Sequence, residues 1–129
     1  MNWLFTWFTR LFGSVCILIA LGHIAIGPDI IPGGVSVNAT MDSEDRFYAS
    51  LFLGFGGAVI WTSFNFSDRG NLFLALMGIF FLGGLARIVS IISVGWPTPL
   101  FIFLGALELL IPPVCWWLLK TTTKNDTFN

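Results

Sequence analysis

The chain has 129 residues, 56% hydrophobic and 16% aromatic but only 10% charged, with a mean hydropathy of +0.86. A soluble domain carries about a quarter charged residues, so 6 Lys and Arg with 7 Asp and Glu are too few to wet its surface, and the expected solvent is largely lipid. A net charge of −1 with no basic patch gives nucleic acid no surface to bind and excludes it as a partner.

The charges divide the chain into spans. Residues 11–28, between Arg10 and Asp29, carry no charge and predict the first helix at about 4–27, close to the ~20 residues that a bilayer needs. Residues 11–21 also resemble the apolar part of a signal peptide, with Ala20 and Gly22 as small residues beside it. One cation, Arg10, behind the aromatics Trp3, Phe5, Trp7 and Phe8 is a poor leader, so a retained helix is expected. Its only histidine, His23, shares a face with Thr9, Phe12, Cys16, Ala20 and Gly27.

The segment "PDIIPGGVSVNATM" then forms a loop or lid, and "TMDSEDRFY" opens the second helix, expected at about 44–65. Asp42 or Ser43 is the expected cap, and Glu44 and Asp45 sit where a helix dipole favours acids. Arg46 is disfavoured there by the same dipole. It shares a stripe with Ser50, Leu53 and Gly57, which points it into the bundle; interfacial snorkelling is the alternative. Ser50, Gly54 and Ala58 suggest a small-residue packing seam.

From Gly70 to Leu107 only Arg87 is charged, and Trp96-Pro97-Thr98-Pro99 breaks the run. Helices follow at about 71–95 and 99–119, and residues 121–129 form a polar tail expected to fray. The fold class is therefore all-α, an integral membrane four-helix bundle occupying residues 1–120. Arg10, Arg69, Lys120 and Lys124 mark the side of both termini as cytoplasmic. Trp3, Trp7, Trp61, Trp116 and Trp117 form an inner aromatic belt, and Trp96 with Tyr48 an outer one.

Two helices joined by a tight turn are antiparallel, and at ~1.5 Å per residue Arg87 and Glu108 both lie ~12–14 Å deep. An ion pair explains both charges, since an unpaired guanidinium at mid-membrane is unfavourable by ~2.5–3.5 kcal/mol on insertion scales. Gly83, Arg87 and Ser90 share one stripe. Phe101, Gly105, Glu108, Pro112 and Cys115 share another. Pro112 and Pro113 lack the N–H groups that would bond the carbonyls of Glu108 and Leu109, so a kink is expected.

Arg87, Glu108, Arg46, His23, Glu44 and Ser90 thus make an outer-leaflet polar cluster. It either fixes helix register, holds a lipid-like or anionic amphiphile, or handles protons. No cofactor is expected: one histidine and two separated cysteines, Cys16 and Cys115, do not make a metal site. "GFGGAV" at 54–59 lies inside a helix with no strand before it, which rules out a phosphate loop. Three glycosylation-like tripeptides, at Asn38, Asn65 and Asn125, fall on both sides of the membrane and are discounted.

Gly-His at the end of the first helix, "NATMDSEDRFYASLFLGFGGAVIW", "FLGGLARIVSIISVGWP" and "ELLIPP" together resemble a family of small bacterial four-helix membrane proteins known only as domain of unknown function 4345. The resemblance covers roughly residues 10–118. Its most specific elements are Glu44 to Tyr48, Gly83-Gly84 with Arg87 and Ser90, and Glu108. A more distant similarity is to the DoxX-like group, some of whose members are accessory subunits of redox or assembly systems. The resemblance implies a multi-pass protein of the bacterial inner membrane and carries no activity. A non-catalytic accessory or homo-oligomeric subunit is the leading expectation. A binding protein or enzyme for an amphiphile and a proton-coupled transport element are the alternatives.

Overall fold

The computed structural model describes residues 3–126. Among these residues there is no strand. Four helices follow one another: α1 (Trp3–Ile26), α2 (Ala39–Thr62), α3 (Phe66–Val94) and α4 (Pro99–Asp126), with a short 3-10 turn at Pro28–Ile30 after α1. The chain forms two compact units, one ending at Phe66 and one starting at Ser67. The first is the α1–α2 hairpin, and the second pairs α3 with α4.

Helix ends depart from the sequence expectation for local reasons. α2 starts at Ala39 because Asn38, rather than Asp42 or Ser43, is the cap: its side chain accepts from the Met41 N–H at 2.9 Å. Asp42 thereby enters the first turn, where an acid meets the positive end of the helix dipole. α3 starts at Phe66 rather than 71, with Asp68 in its first turn, so the α2–α3 connection shrinks to residues 63–65. α4 runs through Pro112 and Pro113 and on into the polar tail as far as Asp126. The hydroxyls of Thr121 and Thr122 bond back to the Leu118 carbonyl at 3.0 and 2.9 Å. Thr127, which completes the third glycosylation-like tripeptide, and the last residues of the tail lie outside the described residues.

In the first unit α1 and α2 meet along a face of small residues. Gly13, Cys16 and Ala20 of α1 are buried, as are Ala49, Gly56 and Val59 of α2. The expected seam through Ser50, Gly54 and Ala58 is not this face: Ser50 and Gly54 are exposed and a Cβ on Gly54 would meet nothing within 4 Å. Far from the Asn38 cap, Arg10 donates to Ser63 Oγ at 3.1 Å and stands 4.7 Å from the Phe64 ring, which ties α1 to the end of α2.

Elsewhere the helices present apolar side chains outward. Leu18 is 68% exposed, Leu51 57%, Ile92 80% and Leu110 64%. In water each such side chain forgoes ~1.5–3 kcal/mol of burial, a loss that a hydrocarbon solvent removes. Trp3–Ile26, Phe66–Val94 and Pro99–Thr122 are long and apolar enough to cross a membrane. α2, whose first two turns carry Asp42, Glu44, Asp45 and Arg46, is not one of these three.

Candidate functional site

The ionisable residues singled out in the sequence fall into two groups, one in each helix pair. The first lies where α1 gives way to α2. Gly27 leaves α1 with a φ of 83°, in the left-handed region that glycine tolerates. A Cβ there would stand 2.7 Å from Asp42 Oδ1 and 2.8 Å from an Arg46 terminal nitrogen. The missing side chain lets the Arg46 guanidinium close over the end of α1.

Arg46 donates from Nε to Asp42 Oδ2 at 2.8 Å and from Nη2 to Asp42 Oδ1 at 3.3 Å. Nη1 donates to the Ile24 carbonyl and Nη2 to that of Ile26 at 3.4 Å. The last carbonyls of α1 have no partner within their own helix, and they form the negative end of its dipole. A cation disfavoured by the dipole of its own helix is therefore placed against the opposite end of its neighbour. Arg46 caps α1, a role that neither of the expected readings contained. The hydrogen bond from Arg46 holds the Asp42 carboxyl below its ordinary value, and the charge of Arg46 adds to that effect.

His23 occupies the last turn of α1, with Nδ1 at 2.9 Å from Asp45 Oδ2 and 3.1 Å from Oδ1. A carboxylate can only accept, so Nδ1 carries the proton. Both side chains are about one-fifth exposed. Asp42 and Asp45 are the residues that sequence reasoning missed as partners. Asp42 stands four residues before Arg46, a spacing that signals a helical pair. Asp45 finds its partner 22 residues away, and no local spacing reveals that.

The second group joins α3 and α4. Arg87 Nε donates to Glu108 Oε2 at 2.7 Å, with Arg87 39% and Glu108 12% exposed. Small residues permit the approach. A Cβ on Gly84 would meet Leu109 at 2.8 Å and the Glu108 Cβ at 3.2 Å, and one on Gly105 would lie 3.3 Å from Arg87 Cδ. Gly84, rather than the expected Gly83, is the buried member of the pair. Arg87 Cζ stands 5.7 Å from the Phe101 ring. Beside this contact runs an open groove of about 290 Å³, whose walls include Arg87, Ser90, Ile91, Phe101 and Leu109.

The structure thus brings His23 to Asp45, Arg46 to Asp42 and Arg87 to Glu108. Ser90 shares the groove with Arg87, and Glu44 is exposed on α2. Each pair is closed within its own helix unit.

Four helices, three of them suited to a bilayer, and charges held in pairs define the class: an all-α protein with membrane-spanning helices. Residues 4–119 match the family model described as "Domain of unknown function (DUF4345)", and the chain belongs to that family. No curated protein and no solved structure matches the chain.

Proposed function

We propose that the chain is a small multi-pass protein of the bacterial inner membrane, working as a non-catalytic accessory or oligomeric subunit. In this reading all four helices cross the bilayer, α2 with its apolar stretch 47–62, and both termini are cytoplasmic. The carrying observation is that the conspicuous charged side chains bind one another across helices or cap a helix end, while large apolar side chains point outward along every helix. Ion pairs used in this way set register and topology. The exposed tryptophans agree with interfacial belts: Trp3, Trp7, Trp61, Trp116 and Trp117 lie at the ends marked by Arg10, Arg69 and Lys120, and Trp96 lies at the opposite end. With the outer surface apolar and its glycines at 54, 57 and 78 open to contact, the lipid-facing side suits further helices, either from a second copy or from a partner subunit.

Native mass spectrometry in mild detergent tests the subunit role. A homo-oligomer or a co-purifying membrane partner is expected, and a strictly monomeric protein without a partner overturns it. Cysteine labelling tests the topology after the buried Cys16 and Cys115 are replaced by Ala. Val35→Cys should react with an impermeant maleimide in intact cells, and Lys124→Cys only after the membrane is opened. The reverse pattern overturns the orientation.

A further inference from the structure

Arg87 engages Glu108 through Nε alone; among the described residues its two terminal nitrogens have no hydrogen-bond partner. The side chain passes Gly105 and brings its guanidinium over Phe101. Phe101 stands nearer than Glu108 to the Trp96–Pro97 turn, so the head of Arg87 rises from the carboxylate toward that turn. A long cationic side chain in lipid takes this posture, stem in hydrocarbon and charge toward the interface.

Helix length sets the depth. α3 has 29 residues, ~43 Å at ~1.5 Å per residue, against a hydrocarbon layer of ~30 Å. With the excess shared between both ends, the Cα of Arg87 lies ~4 Å inside the hydrocarbon boundary, much shallower than the mid-membrane depth expected from the sequence. The raised guanidinium then reaches the level of lipid phosphates. The groove runs from Pro97 at the turn past Ile91 and Ile102, level with the raised guanidinium, to Ile88 and Leu109 below it, an apolar channel open to the side. Ser90 adds a hydroxyl one turn nearer the interface.

We propose that the α3–α4 groove is a seat for an anionic phospholipid. The phosphodiester accepts from the two terminal nitrogens of Arg87, and one acyl chain lies in the groove. A guanidinium fork matches two phosphate oxygens. The lipid is anionic rather than zwitterionic because a choline head group sets a second cation beside the Arg87 guanidinium, and Glu108, 12% exposed and bonded through Oε2 to Nε, is largely closed to it. Arg46 takes no part, its donors being spent on Asp42 and the end of α1. The seat rests on the membrane-spanning reading above.

The test is native mass spectrometry of the delipidated full chain titrated with phosphatidylglycerol, phosphatidylcholine or free glycerol phosphate. Phosphatidylglycerol should bind about tenfold tighter than phosphatidylcholine, whose trimethylammonium is repelled by the Arg87 guanidinium that holds the phosphodiester of both, and glycerol phosphate should not bind. Ala106→Trp closes the groove from an exposed position, and Arg87→Gln with Glu108→Gln removes both charges without stranding one. Each should weaken phosphatidylglycerol by about tenfold or more at unchanged helicity. Equal binding of the two lipids, binding of glycerol phosphate alone, or full retention in both variants overturns the seat. A chain recovered in water without detergent overturns the membrane reading itself. A detergent-requiring chain with no lipid preference overturns the seat alone.

Discussion

Where α1 crosses α2, Gly13 and Gly56 face each other so closely that a Cβ on either would lie 2.8 Å from the other's carbonyl oxygen. Backbone cannot step aside as a side-chain tip can. Gly13→Ala and Gly56→Ala should each destabilise the chain by ~1–3 kcal/mol, the usual range for overpacking. Gly54→Ala and Gly57→Ala add a methyl where nothing stands within 4 Å, and should be neutral or slightly stabilising. Thermal unfolding in detergent, followed by helicity, separates the two sets. Equal effects at 54 and 56 would contradict the crossing point.

The same pair explains what the sequence could and could not disclose. Helix existence was legible because charges punctuate long apolar runs, and the helical period grouped Thr9, Cys16 and Ala20, which are buried on α1, with Phe12 and His23, which are half-buried, and with Gly27, which lies past the helix end. The face of α2 was not legible. Small residues recur on two of its faces, and only Gly13 on the neighbouring helix selects Gly56 over Gly54. Likewise Asn38, Asp42 and Ser43 are all good caps, and tertiary geometry chose among them. Arg87 and Glu108 could be matched because a tight turn makes their depths comparable. His23 and Asp45 are joined by a longer connection, whose path through Gly27 and the Pro28–Ile30 turn no spacing rule supplies.

The Arg87–Glu108 pair should respond asymmetrically to substitution. Removing one partner of a buried pair typically costs ~3–5 kcal/mol because the other charge is left alone. Glu108 is the more buried of the two, at 12% against 39%, and a stranded Arg87 can still extend toward the interface. Arg87→Gln should therefore cost more than Glu108→Gln, by about 1 kcal/mol or more, and the double variant less than the sum of the singles. A double-mutant cycle measured by unfolding in detergent checks this. Additive singles would mean that the two side chains do not interact.

Arg46 should matter to the end of α1 more than to α2. Its guanidinium holds the carbonyls of Ile24 and Ile26, and the amides of Gly27, Ile30 and Ile31 lie in the turn that follows, bonded to His23, Gly27 and Pro28. In Arg46→Gln those three amides should exchange with deuterium ~2–5-fold faster, the effect of losing a partly exposed ion pair. Arg46→Lys keeps a cation at the end of α1 but cannot serve two carbonyls and a carboxylate together, so it should fall between. Unchanged exchange in Arg46→Gln would show that the cap does not hold the turn.

Asp42 gives this junction a defined acid limit. Its carboxyl is lowered chiefly by the hydrogen bond from Arg46, with the charge of Arg46 acting in the same direction against partial desolvation. A carboxyl with a depressed folded-state pKa binds its proton more readily in the unfolded chain, so stability rises with pH across the window between the two values. The contribution is complete above the unfolded value of about 3.9 and disappears as pH falls through the folded one. Arg46 stays protonated throughout and adds no pH dependence of its own. Asp42→Asn should therefore lower Tm by a constant amount from pH 7 down to about pH 5, and the gap from wild type should close below about pH 4. Paired melting curves across that range isolate the effect, since every other acid is common to both proteins. A gap that persists unchanged at pH 3 would mean that Asp42 acts at the start of α2 through shape and hydrogen bonding alone, without the charge that Arg46 answers.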